Sequence, residues 1–86
     1  MIPDATKSQH TIEQLLDEIH AAYHAGCIQT IIYGQRNTTQ YYVQMLTVKT
    51  MTHETAERLR NYLLTTYQFV HRAWVHHNTV ELDYTT

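Results

Sequence analysis

The chain has 86 residues, of which 43% are hydrophobic and 16% are charged, and its formal net charge is −2. This length predicts one domain, and the single cysteine, Cys27, excludes an internal disulfide and favours a reducing compartment. The six basic residues are scattered and the net charge is negative, so nucleic acid is not an expected partner. No apolar run is long enough for a membrane span or a signal peptide. We therefore expect a cytoplasmic protein without membrane contact.

The apolar content is low for a folded domain. Leu, Ile, Val and Phe make up about 22% of the chain, just above the fraction below which disorder is common. The hydrophobic core is therefore expected to be small, and domains of this size are often stabilised by oligomerisation. Residues 1–10 are polar and without periodicity, which predicts a loose N-terminal arm followed by a single α+β domain over residues 11–86.

The first predicted element is a helix over Thr11–Ala25. Thr11 and Gln14 have the spacing of a capping box. Gly26 follows the helix at the position where a left-handed residue commonly ends it. The apolar stripe recurs at helical spacing and comprises Ile12, Leu15, Leu16, Ile19, Ala22 and Tyr23.

A hairpin is predicted next, with strands over Cys27–Gly34 and Thr39–Lys49. A turn over Gln35–Thr38, centred on Arg36 and Asn37, would place Ile28 opposite Met45 on one face and Ile31 opposite Tyr42 on the other.

The second predicted helix runs over Met51–Tyr67. Thr52 is a suitable N-cap, and Glu54 and Arg58 form an i,i+4 pair in the favourable order. Its apolar stripe comprises Ala56, Leu59, Leu63 and Tyr67. One side of this helix must therefore pack against another element.

A second hairpin follows, with strands over Phe69–His76 and Thr79–Tyr84. A two-residue turn at His77–Asn78 places Val75 opposite Val80, Ala73 opposite Leu82 and His71 opposite Tyr84, on a largely apolar face. The other face pairs Arg72 with Asp83 and Trp74 with Glu81. The clean separation of apolar and charged pairs favours this register.

The order αββαββ predicts an α+β fold in which both helices cover one face of a four-stranded, mainly antiparallel sheet. Two arrangements of this two-layer sandwich are open. One is a ferredoxin-like plait whose first strand has been moved to the end of the chain, and it places the fourth strand beside the second. The other is a pair of αββ units side by side.

The predicted open face of the sheet is the main candidate site. If the helices cover the side that carries Ile28, Val43, Ala73 and Leu82, the other side exposes an apolar patch. Such patches mark interaction surfaces, and Tyr, Trp and Arg are enriched at their centres. The predicted protein-binding residues are Ile31, Tyr33, Tyr42, Leu46, Arg72 and Trp74, flanked by Val48 and Val70. We expect a non-enzymatic binding or regulatory protein whose partner is a second copy or another protein.

A metal-binding protein or small enzyme is the alternative. Glu13, Asp17, His20 and His24 fall within a narrow sector of the first helix, and two His one turn apart can bind a divalent ion. A solvated polar helix face is the commoner meaning of this pattern. Cys27 follows a helix C-terminus, where the dipole disfavours a thiolate nucleophile. The sequence points to no cofactor.

Overall fold

In a computed structural model of the protein, residues 11–37 and 42–85 are described. They form two helices and four strands in the predicted order αββαββ, which confirms an α+β fold with an antiparallel sheet. The elements are α1 (Ile12–His24), β1 (Ile28–Asn37), β2 (Tyr42–Thr50), α2 (His53–Thr66), β3 (Val70–His76) and β4 (Thr79–Tyr84). The predicted N-terminal arm and the predicted turn residue Thr38 lie outside the described residues.

Both ends of α1 follow from local sequence. The Gln14 backbone N–H donates to Thr11 Oγ1 at 3.2 Å and the Thr11 N–H donates to Gln14 Oε1 at 2.7 Å, which confirms the capping box. Gly26 adopts a left-handed conformation with φ +85°, as predicted. The N–H of Gly26 then reaches the Tyr23 carbonyl and that of Cys27 reaches the Ala22 carbonyl, and this pair of bonds is a Schellman motif.

The strands lie in the order β1-β2-β4-β3, and each neighbouring pair is antiparallel. β2 and β4 form the centre of the sheet, and β1 and β3 form its edges.

The second hairpin has the predicted register over most of its length. Val75 lies opposite Val80, and Arg72 lies opposite Asp83. The register shifts between Val70 and Arg72, so that Val70 rather than His71 pairs with Tyr84. Val70 is 5% exposed and belongs to the core, and its predicted place on the open face is therefore wrong.

The first hairpin differs from prediction in its turn. β1 continues to Asn37, which pairs with Tyr42 at the start of β2, so the predicted turn centre at Arg36–Asn37 is wrong. As a result Ile31 lies opposite Val48 and Tyr33 lies opposite Leu46. The longer strand carries β-branched and aromatic residues, which suit an extended conformation.

A β-bulge also reverses the predicted inner and outer faces of this hairpin. The register shifts between Ile28 and Thr30, and the extra residue, Gln29, changes which side later residues face. Ile28 faces the core as predicted, but Leu46 and Val48 face the core as well and are fully buried. The prediction that they lie on the open face is wrong for this reason.

The core joins both helices to one side of the sheet. α1 contributes Leu15 and Ile19, and α2 contributes Ala56 and Leu63. The remaining buried core residues are Ile28, Leu46, Val48, Tyr67, Val70, Ala73, Val80, Leu82 and Tyr84. Burial of each large apolar side chain contributes about 1.5–3 kcal/mol, so this cluster is the main source of stability.

Candidate protein-interaction surfaces

The outer face is the side of the sheet turned away from the core, and its residues form rows across the four strands. The middle row consists of Ile32, Thr47, Glu81 and Trp74, which are successive partners in the strand registers. A second row consists of Gly34, Met45, Asp83 and Arg72, and a third of Thr30, Lys49, Thr79 and His76. Val43 has the same strand parity as Met45, so its predicted place on the helix-covered side is wrong, and it is 4% exposed.

The outer face carries a cation–π pair at its β3 side. The Arg72 guanidinium lies 5.3 Å from the centroid of the Trp74 ring. Arg72 is exposed and Trp74 is half-buried, while Ile32, at the other end of the middle row, is 56% exposed. Stacking holds a long cationic side chain flat against an aromatic ring, so this edge presents a defined surface.

Charges of both signs lie close together on this face. Lys49 and Arg72 are exposed, Glu81 is half-buried, and Asp83 is 4% exposed. Glu81 lies between Trp74 and Thr47 in the middle row. The acidic groups beside Arg72 and Trp74 disfavour nucleic acid, whose phosphates require a positive surface. Arg and aromatic residues are enriched where proteins bind each other.

The six predicted binding residues do not share one face. Arg72 and Trp74 lie on the outer face as expected. Ile31, Tyr33 and Leu46 lie on the opposite side, and Leu46 is fully buried, so it cannot belong to a contact surface. Tyr42 pairs with Asn37 through its backbone, and its side chain lies outside the described part of the structure. The predicted patch is therefore divided by the sheet itself.

The outer-face residues that the sequence did not identify include Ile32, Met45 and Thr47. The run Ile31-Ile32 is apolar at two successive positions, so alternation alone does not show which residue faces the core. Only the bulge at Gln29 settles the choice. Glu81 was predicted on this face opposite Trp74, and the observed partner is the same.

A cleft lies on the helix-covered side, between α1 and the edge strand β1. Its volume is about 630 Å³, and His20, Tyr23, His24, Gln29, Thr30, Ile31 and Tyr33 line it. His20 Nε2 lies 3.0 Å from Tyr33 Oη, a hydrogen-bond distance that ties the helix to the strand. Tyr23 is 47% exposed and Tyr33 is 52% exposed. The cleft therefore combines aromatic surface with polar groups.

The described residues contain no coordination site that would support the metal-binding alternative. Within residues 11–37 and 42–85, no three His, Cys, Asp or Glu side chains come together as metal ligands require. His20 and His24 both line the cleft, and His20 is engaged with Tyr33. Glu13 and Asp17 are exposed on the same side of α1, as their spacing implies.

An acidic and aromatic cluster lies where the two helices approach each other. Burial raises the pKa of Tyr67, and a hydrogen bond and the nearby charge of Glu18 raise it further. The pKa of Tyr62 is raised chiefly by its own hydrogen bond to Glu18. The Tyr62 and Tyr67 rings meet edge to face at 6.3 Å. These contacts link Glu18 of α1 to the C-terminal end of α2, where Tyr67 is fully buried.

No protein-family description, characterised protein or solved structure matches this chain. In the described residues, neither helix has the length and apolarity that crossing a membrane would demand.

Proposed function

We propose that this protein is a small, non-enzymatic binding or regulatory protein that acts through the outer face of its sheet, as a homodimer. The observation that carries the proposal is the Arg72–Trp74 pair, which lies beside Glu81 on the side of the sheet opposite the core. Arg and Trp are the residue types most enriched at the energetic centres of protein interfaces.

The charges of the outer face support a second copy as the partner. A two-fold interface brings the same patch of both subunits together, so it requires a patch that complements itself. Lys49 and Arg72 are exposed cations, and Glu81 is a half-buried anion in the row between them. A two-fold arrangement can therefore place Glu81 of each subunit against a cation of the other, around Trp74.

The small core supports self-association for a second reason. Domains below 100 residues bury a limited share of their apolar surface and have little stability in reserve. Ile32 is left 56% exposed on the outer face, and the Trp74 ring is only half-buried. Covering both with a second copy would add the burial that one chain lacks.

For the fold we propose the permuted plait, which is also two αββ halves related by an approximate two-fold axis. The halves correspond as β1 with β3 and β2 with β4, which the order β1-β2-β4-β3 allows. Each edge strand also has a bulge near its start, at Gln29 and at His71. We further propose a reducing, cytoplasmic setting, in keeping with Cys27, which is a free and exposed thiol.

Light scattering across a concentration series tests the dimer. We expect a mass near twice the 10.2 kDa of one chain, and a folded monomer for Trp74→Glu. Ala21→Glu is the matched control, because Ala21 is exposed on α1, away from the outer face, and this variant should remain a dimer. A wild-type protein that stays monomeric at high micromolar concentration would exclude self-association through this face.

A further inference from the structure

The strand β1 is an edge of the sheet, and its second side has no strand partner in the part of the chain that the structure describes. It is ten residues long, whereas the other edge strand, β3, has seven. Half of the backbone N–H and C=O groups of an edge strand point away from the sheet and can pair with an added strand. Its length makes β1 the larger of the two possible templates.

The two edges differ in how they are protected. At β3 the Arg60 Nε of α2 donates to the Ala73 carbonyl at 3.0 Å, and the exposed Arg72 lies on the strand itself. Charged side chains and covering contacts of this kind discourage strand addition. The one charged residue of β1, Arg36, is next to its last residue, so Ile28 to Gln35 carry no charge, and the bulge at Gln29 leaves the following residues in regular pairing.

Exposed apolar side chains concentrate at the β1 edge. The described residues include five exposed large hydrophobic side chains. Two of them, Ile32 and Tyr33, belong to β1, and a third, Tyr23 of α1, lines the cleft beside it. Tyr23 and Tyr33 line the cleft on the helix side, and Ile32 lies on the outer face. A strand added here would find apolar contacts on both faces of the sheet.

The charge around this edge indicates the chemistry of the added strand. α1 and β1 contain Glu13, Asp17 and Glu18 and a single Lys or Arg, Arg36, which is next to the last residue of β1. Glu18 contacts Tyr62 and Tyr67, so Glu13 and Asp17 are the carboxylates available near this edge. Glu13 and Asp17 lie on the same side of α1 as His20, which contacts Tyr33. A second copy would bring the same acidic groups towards these and is therefore disfavoured, whereas basic side chains would be attracted.

We propose that the β1 edge binds an extended segment of a partner protein by strand addition, and that this segment alternates basic and apolar side chains. The basic side chains face α1, where their aliphatic stems cover Tyr33 and their charges approach Asp17. The apolar side chains lie on the other face, next to Ile32. A dimer formed through the outer face leaves the outward N–H and C=O groups of β1 free for pairing, and the two interactions share only Ile32.

The test uses a fluorescein-labelled peptide of alternating Lys and Val, seven residues long, titrated with the full chain and followed by anisotropy. We expect saturable binding that weakens as salt is added, because exposed charges are screened. A peptide with Glu in place of Lys should bind at least about tenfold more weakly. A peptide with Pro in place of the central Val should also lose binding, because Pro lacks the N–H that a ladder requires.

Two variants and one spectroscopic measurement locate the site. Asp17→Asn should weaken binding of the basic peptide several-fold, whereas Glu57→Gln, which removes an exposed carboxylate from α2, should leave it unchanged. Amide hydrogen exchange should show new protection between Thr30 and Gln35 when the peptide is bound. Protection at β3, equal binding of the Lys and Glu peptides, no binding, or β1 amides already protected without peptide would each overturn the proposal.

The same titration with Trp74→Glu separates this inference from the proposed dimer. A monomeric Trp74→Glu protein that still binds the basic peptide supports both proposals. A wild-type chain that is monomeric and binds the peptide supports strand addition and excludes the dimer. A wild-type chain that is dimeric and does not bind the peptide supports the dimer and excludes strand addition.

Discussion

Thr50 at the end of β2 and Asn78 in the turn between β3 and β4 exchange three hydrogen bonds, although 28 residues separate them. The Thr50 backbone N–H and hydroxyl both donate to the Asn78 carbonyl, at 2.8 Å and 2.9 Å, and the Asn78 side-chain amide donates to the Thr50 carbonyl at 2.7 Å. Thr50 is fully buried. The pair ties the second hairpin to the first and holds the central β2–β4 pairing in register.

Asn78→Ala should lower the free energy of unfolding by about 1–3 kcal/mol, because it leaves the carbonyl of the buried Thr50 without its side-chain donor. Urea denaturation followed by circular dichroism measures the change. Gln68→Ala is the control, since Gln68 is an exposed amide side chain, and it should change the unfolding free energy by less than about 0.5 kcal/mol. Equal effects of the two substitutions would show that the Thr50–Asn78 contact contributes nothing specific.

The two glycines of the chain should respond oppositely to alanine. Gly26 has φ +85°, so Gly26→Ala places a β-carbon in a left-handed conformation and should cost about 1 kcal/mol, although there is open space around it. Gly34 lies within β1, where an added Cβ would meet only Met45 Cβ, at 3.9 Å. Gly34→Ala should therefore be neutral or stabilising. Thermal denaturation of both variants checks the pair, and a melting temperature for Gly26→Ala at or above wild type would contradict it.

Alanine substitutions at Leu46 and Ile32 should differ in their effect on stability, because the two side chains lie on opposite faces of the first hairpin. Leu46 is fully buried and Ile32 is 56% exposed, although the alternation of the sequence predicted the reverse. Leu46→Ala should cost about 2–5 kcal/mol through lost burial and the cavity that remains. Ile32→Ala should cost less than about 1 kcal/mol in the monomer. Denaturation at low protein concentration, or in the Trp74→Glu background, separates the monomer effect from any effect on association.

Local signals in the sequence were sufficient for the helices and for one hairpin. Thr11, Gln14 and Gly26 determine the ends of α1 through contacts within three or four residues, and such contacts can be predicted from spacing. The second hairpin could be predicted because a short turn and an apolar face require the same register. The caps of α1 and the turn of the second hairpin each lie within a few residues of the backbone whose conformation they determine.

The bulges could not be predicted, because nothing in the side chains at Gln29 or His71 marks them. A bulge follows from how a strand must bend to pack at the edge of a twisted sheet, which is a property of the assembled fold. Across each bulge, the relation between position in the strand and face of the sheet is reversed. Arg72 and Trp74 lie between the bulge at His71 and the turn that determined their predicted register, so their face was predicted correctly. The faces of the first hairpin were assigned from Ile28, which precedes the bulge at Gln29, so Leu46 was placed on the wrong face.

The cleft beside β1 could not be predicted for a related reason. His20 and Tyr33 are separated by 13 residues and come from different elements, and their contact depends on where α1 lies over the sheet. The sequence did show that Glu13, Asp17, His20 and His24 share one side of the helix. It did not show that this side adjoins an edge strand, and without that fact the two interpretations were a solvated polar face and, less commonly, a metal site.

The buried tyrosines predict how stability depends on alkaline pH. Burial, with the charge and hydrogen bond of Glu18 added, raises the pKa of Tyr67, and burial followed by the proximity of Tyr33 raises that of Tyr84. Unfolded tyrosine ionises near pH 10. Because the folded protein holds these protons more tightly than the unfolded chain, their contribution to stability is complete below about pH 10 and is lost as the pH rises above it.

Tyr67→Phe should therefore make the free energy of unfolding fall less steeply with pH above about pH 10 than it does in the wild type. At neutral pH the same variant should be less stable by about 0.5–1.5 kcal/mol, because the hydroxyl that meets Glu18 is removed. Urea denaturation at several pH values between about 8 and 11.5 measures both effects. Tyr23→Phe, which changes a tyrosine that is 47% exposed, is the matched control. If Tyr67→Phe and the wild type lose stability in parallel above pH 10, the proton on Tyr67 is not what links folding to alkaline pH, and the contact between the two helices at Glu18 must be reassigned.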